Sequence, residues 1–129
     1  MSKEERKPAK TYRDLLVWQK AKKVARTIYE LTRFFPREER FGITSQMRSS
    51  ALSIPSNVTE GFGRRGPAEY VRFLLIARGS VFELETQLEI AMEVSMLPED
   101  KYHEVTGMLD EVERMLEALI RSVERNTSN

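Results

Sequence analysis

Phe41-Gly-Ile-Thr-Ser-Gln-Met-Arg-Ser-Ser-Ala-Leu-Ser-Ile-Pro-Ser-Asn-Val-Thr-Glu-Gly-Phe-Gly-Arg-Arg65 is the stretch whose reading decides the fold. Met47, Ala51, Ile54, Val58 and Gly61 alternate in steps of four and three, with Phe62 beside the last of them, so the stretch reads as one helix with one apolar seam. Ser50, Ser53, Asn57, Glu60, Gly61 and Arg64 lie on or beside that seam. A helix of this length is ordinarily filled with Leu, Lys and Glu. Here serine stands at 45, 49, 50, 53 and 56, and Pro55 falls in the middle. Such a sequence gives up intrinsic helix propensity. What favours it must come from outside the helix: close packing of a neighbour over small side chains, or a polar site.

The same rhythm recurs in the rest of the chain. Val17, Ala21, Val24, Ile28, Leu31 and Phe35 precede the stretch. Tyr70, Leu74, Ala77, Val81, Leu84, Leu88 and Ala91 follow it, and Tyr102, Val105, Leu109, Val112, Leu116, Leu119 and Val123 come last. A shared 3.5-residue repeat is the pattern of helices packed at small crossing angles, and no segment alternates with period two. Phe35-Pro36, Gly66-Pro67 and Leu97-Pro98 punctuate the repeats. The expectation is an all-α, antiparallel up-down-up-down four-helix bundle with helices over 14–35, 43–64, 67–95 and 99–125. The bundle occupies 13–125, between a flexible N-terminal tail over 1–12 and a short C-terminal tail over 126–129.

Two helices carry more apolar surface than one seam requires. The first has a flank of Trp18, Ala25 and Tyr29, and the third is apolar almost all round between Tyr70 and Leu84. A helix apolar on every side is buried on more than one side. Trp18, Tyr29, Phe73 and Phe82 are therefore the expected interface of a homo-oligomer. The fourth helix is cleanly amphipathic and should face water.

Composition bounds the function. A chain of 129 residues without cysteine has no disulfide framework and no thiolate metal site. No apolar run reaches the roughly 18 residues of a membrane span. The start, Met-Ser-Lys-Glu-Glu-Arg-Lys-Pro, lacks a secretory h-region, so a cytoplasmic protein with no membrane partner is expected. The net charge of +1 hides an uneven distribution. Residues 1–26 hold nine Lys/Arg against three Asp/Glu, and residues 98–129 hold four against eight. Such asymmetry serves either complementary packing of antiparallel helices or a basic binding surface.

No motif carries catalysis. Gly61-Phe-Gly63-Arg-Arg-Gly66 matches the letters of a dinucleotide fingerprint, but a helix precedes it where a strand is needed. Asn57-Val58-Thr59 is a glycosylation sequon without a secretory context. His103 is the only histidine, so neither a histidine metal site nor a histidine-activated serine can be assembled. No catalytic residue, metal ligand or cofactor is assigned. Arg48, Asn57 and Glu60 read as a polar network between helices, since polar groups in such places need partners. Lys22, Lys23 and Arg26 share the outward face of the first helix, and Arg13, Arg64 and Arg65 add to the basic surface. These six cations are the candidate nucleic-acid-binding residues, acting through phosphate contacts and counterion release.

The clustered motifs carry a resemblance over roughly residues 12–123. They are Leu16-Val-Trp-Gln-Lys-Ala21, Phe34-Phe-Pro36, Phe41-Gly42, Gln46-Met-Arg48, Ser53-Ile-Pro-Ser-Asn57, Glu60-Gly-Phe-Gly-Arg64, Ala77-Arg-Gly-Ser80 and Glu83-Leu-Glu-Thr-Gln-Leu88. In these the chain resembles the bacterial four-helix-bundle family of proteins encoded in 23S rRNA intervening sequences, to which the accessory variability determinant of diversity-generating retroelements is related. Ser49 departs from the second basic residue that the family often has after Arg48. The resemblance implies an up-down bundle assembled into a ring, a pentamer, without enzymatic activity. For the retroelement relatives it implies binding to a reverse transcriptase and to nucleic acid through a surface far more basic than this one. The expected function is a non-enzymatic oligomeric scaffold associated with RNA or ribonucleoprotein. The alternative is a protein–protein adaptor that binds no nucleic acid.

Overall fold

The four seams meet in one continuous core. The computed structural model describes residues 8–126; 1–7 and 127–129, the outer parts of the two expected tails, lie outside the described residues. Helix α1 runs over Leu16–Thr32, α2 over Ile43–Phe62, α3 over Pro67–Glu93 and α4 over Glu99–Arg125, with single 3-10 turns at Tyr12–Asp14 and Arg37–Glu39. Each helix packs on the two beside it, in the order α1–α2–α3–α4 and back to α1, and the diagonal pairs do not touch. This is the antiparallel four-helix bundle that the repeats predict, and the described residues contain no strand.

Ile28, Met47, Ile54, Leu74, Leu84, Leu88, Leu109 and Leu116 are fully buried at its centre. Near the helix ends the seam drifts. Thr32 replaces Leu31 as the buried residue in α1, and Ile120 replaces Leu119 in α4. A straight helix turns about 20° per heptad away from a strict 3.5 repeat, which moves the buried position one residue along.

The helix ends are local chemistry. α1 begins two residues later than the periodicity predicts. Thr11 and Asp14 form a reciprocal capping box around the first 3-10 turn, and Leu15 is extended. It also ends earlier, at Thr32, because Pro36 drives the preceding residue out of helical geometry; Phe35 then tucks into the core from the connection. α2 stops at Phe62 and α3 at Glu93, each two residues short of the predicted end. α3 ends with Ser95 at φ 65°, where Met96 N–H donates to Ala91 O at 2.8 Å and Ser95 N–H to Met92 O at 3.0 Å. Those bonds form a Schellman motif around a residue in the left-handed region.

The serines and glycine of α2 are explained by α3, against which α2 packs most extensively. A Cβ at Gly61 would lie 3.0 Å from Phe73 Cβ and 3.0 Å from the Tyr70 ring. Ser80 Oγ bonds Ser53 Oγ at 2.7 Å, and Asn57 Nδ2 donates to the same Ser53 Oγ at 2.9 Å. Small side chains let the backbones close up, and the hydroxyls satisfy one another inside the contact.

Gly61→Val should therefore cost about 1–3 kcal/mol by overpacking. Gly79→Ala, where an added Cβ meets nothing within 4 Å, should gain roughly 0.5–1 kcal/mol from backbone entropy. Urea unfolding with an unchanged slope reads both; a Gly61→Val midpoint at or above wild type would refute the close contact.

Candidate nucleic-acid interface

The basic surface is built at the start of α1. The Thr11–Asp14 turn is fixed by Asp14 Oδ2, which accepts from Lys10 N–H at 2.9 Å, and by Thr11 Oγ1, which accepts from Arg13 N–H at 3.1 Å. Gln19 Nε2 ties the turn to α1 by donating to Arg13 O at 2.8 Å. Held this way, Tyr12 meets Trp18 edge-on at 5.1 Å. The Arg13 guanidinium lies 4.8 Å over Tyr12, and Lys22 Nζ lies 5.2 Å from the centre of Trp18. The result is a ladder in which two aromatic rings in contact are flanked by two cations. Trp18, Gln19, Lys22, Lys23 and Arg26 line a shallow concavity of about 210 Å³ beside it. Among the described residues no carboxylate pairs with Lys22, Lys23 or Arg26, whereas the neighbouring Lys20 is held by Glu111 at 3.0 Å.

The structure divides the six expected cations. Arg13, Lys22, Lys23 and Arg26 come together on the ladder. Arg64 and Arg65 belong to a separate concavity of about 260 Å³ with Tyr70 and Asn126, at the end of the bundle where α1 begins. Arg64 is partly neutralised there by Glu60 at 3.2 Å. Tyr12, which the sequence reading assigned to the tail, was missed as a ring of this surface. The available signal was Thr11 three residues before Asp14, a capping pair.

The expected oligomer interface divides as well. Phe73 is half-buried between the guanidinium groups of Arg64 and Arg72, 4.8 and 4.6 Å away. Trp18 is taken up by the ladder, and Tyr29 lies under Arg48 at 4.5 Å. Phe82 remains exposed on α3, in company with Leu75, Ile76 and Ile90. Arg48, Asn57 and Glu60 do not form a network. Arg48 faces α1, donating to Thr32 Oγ1 at 2.8 Å; Asn57 bonds Ser53; Glu60 is exposed and pairs with Arg64. Arg48 thus reaches across to α1, while Asn57 and Glu60 each pair with a residue four positions away along their own segment. His103 is exposed, 3.5 Å from Glu99.

Between α3 and α4 the sign of the charge reverses. Phe82, Glu85, Thr86 and Glu89 of α3 and Tyr102, Thr106 and Asp110 of α4 line an open groove of about 470 Å³. Glu85 Oε1 is enclosed there without a hydrogen-bond partner. Desolvation, then the charges of Asp110 and Glu113, push the Glu85 carboxyl above its ordinary range. The Tyr102 phenol is raised by desolvation and by Glu89 and Glu85. Arg78 is committed to Glu117 at 2.6 Å and Glu113 at 3.5 Å.

Fold and surface together define an antiparallel four-helix bundle with a cation–aromatic face on α1 and an acidic groove between α3 and α4. Residues 13–118 match the 23S rRNA-intervening sequence protein family, and the chain belongs to that family. The fold is also that of a crystallised protein of unknown function from the S23 ribosomal protein family of Bacteroides thetaiotaomicron. That protein is 24% identical, with a TM-score of 0.77 over 82% of this chain and 96% of the other. No curated protein matches the chain. Among the described residues no helix is long and apolar enough to cross a membrane.

Glu85 yields a prediction whose sign is fixed by linkage. Its carboxyl is raised in the folded state, so the fold binds the proton more tightly than the unfolded chain does. Its ionisation therefore weakens the fold as pH rises through the raised value, and stability returns as pH falls toward the ordinary carboxylate range. Glu85→Gln should raise the urea midpoint at pH 7 and lose that advantage in the acid range. An unchanged midpoint at both pH values would refute the buried, unpartnered carboxylate.

Proposed function

We propose that this protein is a cytoplasmic, non-enzymatic, homo-oligomeric scaffold that associates with RNA or ribonucleoprotein by gripping the phosphate backbone. The observation that carries the reading is the ladder Arg13–Tyr12–Trp18–Lys22 with Lys23 and Arg26 beside it. Cations free of intramolecular carboxylates attract phosphate, and rings placed among them offer faces to unpaired bases. The family's name, which refers to a 23S rRNA insertion, makes single-stranded RNA the first probe. Self-association is supported by Leu75, Ile76, Phe82 and Ile90, each at least 40% exposed on one side of α3. Those same residues favour the second reading, a protein–protein adaptor that binds no nucleic acid.

Fluorescence anisotropy with labelled oligonucleotides decides between the two. Binding should weaken steeply with salt and depend little on base sequence. Lys22→Glu with Arg26→Glu should abolish it at unchanged helicity and mass, and milder neutralising changes should lower the salt slope by about 1 per lost phosphate contact. Trp18→Ala should cost roughly 1–3 kcal/mol on single strands and much less on duplexes. Wild type without binding at about 50 mM salt and micromolar protein, where non-specific binders are detectable, leaves the adaptor reading. Light scattering should give a mass several times 15.0 kDa; a stable monomer at micromolar concentration would refute the oligomer.

A further inference from the structure

The connection between α1 and α2 exposes what a folded chain ordinarily hides. Phe34 is 86% exposed and Phe41 85% exposed, on either side of the Arg37–Glu39 turn. The Arg40 guanidinium lies 4.7 Å over the Phe41 ring, and Arg33 and Arg37 stand on the same connection. Among the described residues, no carboxylate pairs with Arg37 or Arg40, although Glu38 and Glu39 lie between them in sequence. This corner is convex, aromatic and guanidinium-bearing.

The groove between α3 and α4 is its counterpart in shape and charge. It is concave and lined by the rings of Phe82 and Tyr102 and by Glu85, Glu89 and Asp110, with no lysine or arginine among the lining residues. Its volume of about 470 Å³ has room for an aromatic and a guanidinium side chain together. In an up-down bundle the α1–α2 and α3–α4 connections lie at the same end, so corner and groove share one end of the molecule on opposite sides. Between Phe82 and the end of α3 at Glu93 the helix rises only about 16 Å, at 1.5 Å per residue.

We propose that a second copy of this chain seats its α1–α2 corner, Phe34 and Phe41 with Arg37 and Arg40, in the α3–α4 groove formed by Phe82, Tyr102, Glu85, Glu89 and Asp110. The contact is heterologous: each copy offers a corner to one neighbour and a groove to the other. Repeated contacts of this kind build a ring where the rotation between neighbours closes and a filament where it does not. Incoming guanidinium groups meet a groove lined by the carboxylates of Glu85, Glu89 and Asp110. The first turns of α1, with Trp18, Lys22 and Lys23, lie toward the other end and stay open. This inference rests on the homo-oligomer reading above and assigns its interface.

Two variants test it, with circular dichroism as the control for folding. Glu89→Arg with Asp110→Arg disables the groove; Phe34→Ser with Arg37→Glu and Arg40→Glu disables the corner. Sedimentation at micromolar to ~100 µM protein should find wild type assembled and each variant at the 15.0 kDa of one chain. An equimolar mixture of the two should form a 1:1 dimer, because one intact corner then meets one intact groove. If either variant keeps the wild-type mass, or if the mixture stays monomeric while wild type assembles, the pairing of these two surfaces is wrong and the oligomer stands. If wild type itself is a monomer, the oligomer reading falls and takes this contact with it.

Discussion

At Gly61 the Cβ of Phe73 and the ring of Tyr70 stand where a side chain would begin, and the rest of the bundle depends on that approach. It sets how near α2 lies to α3, and it explains why α2 is written in serine and glycine at a cost in helix propensity. The Ser53–Ser80 hydroxyl contact at 2.7 Å continues the same line up the interface. With α2 and α3 locked together, α1 and α4 close the other side of the core through Val24, Ile28, Leu109 and Leu116. Short connections then leave no arrangement except neighbours running antiparallel.

Charge is distributed on this frame so that most of it is not consumed inside the monomer. One ion pair, Lys20–Glu111, joins α1 to α4, and Arg78 joins α3 to α4. Complementary packing of antiparallel helices, one of the two uses open to the uneven charge, accounts for only these contacts. The cations of α1 and the groove carboxylates Glu85 and Glu89 of α3 sit on diagonal helices that do not touch. A chain of net charge +1 thereby carries two surfaces of opposite sign, each available to something outside it. The proposed nucleic-acid contact and the proposed contact between copies use different parts of that surface, so one does not exclude the other.

Aromatic residues mark both places. Trp18 and Tyr12 are held in a T-shaped contact with one cation over each ring. Phe34 and Phe41 are left exposed on either side of Pro36 and the 3-10 turn.

The sequence by itself determined the four helices, their order and nearly all of the core, because a 3.5-residue repeat is a property of neighbours along the chain. Its errors were at the ends, where capping bonds and the drift of a 3.6-residue helix against the repeat operate over one turn. Lys22, Lys23 and Arg26 were legible as a face for the same reason: they lie on one helix. What only the tertiary structure decided is whatever joins different elements. The capping turn carries Tyr12 to Trp18. Arg48 reaches Thr32 of α1 rather than Asn57 or Glu60. Phe73 is covered by Arg64 and Arg72 while Phe82 is left in the open, and carboxylates from α3 and α4 are gathered into one groove. Periodicity gives the direction of a side chain around its own helix; what stands opposite it depends on the azimuth and distance of the next helix, which are set by packing.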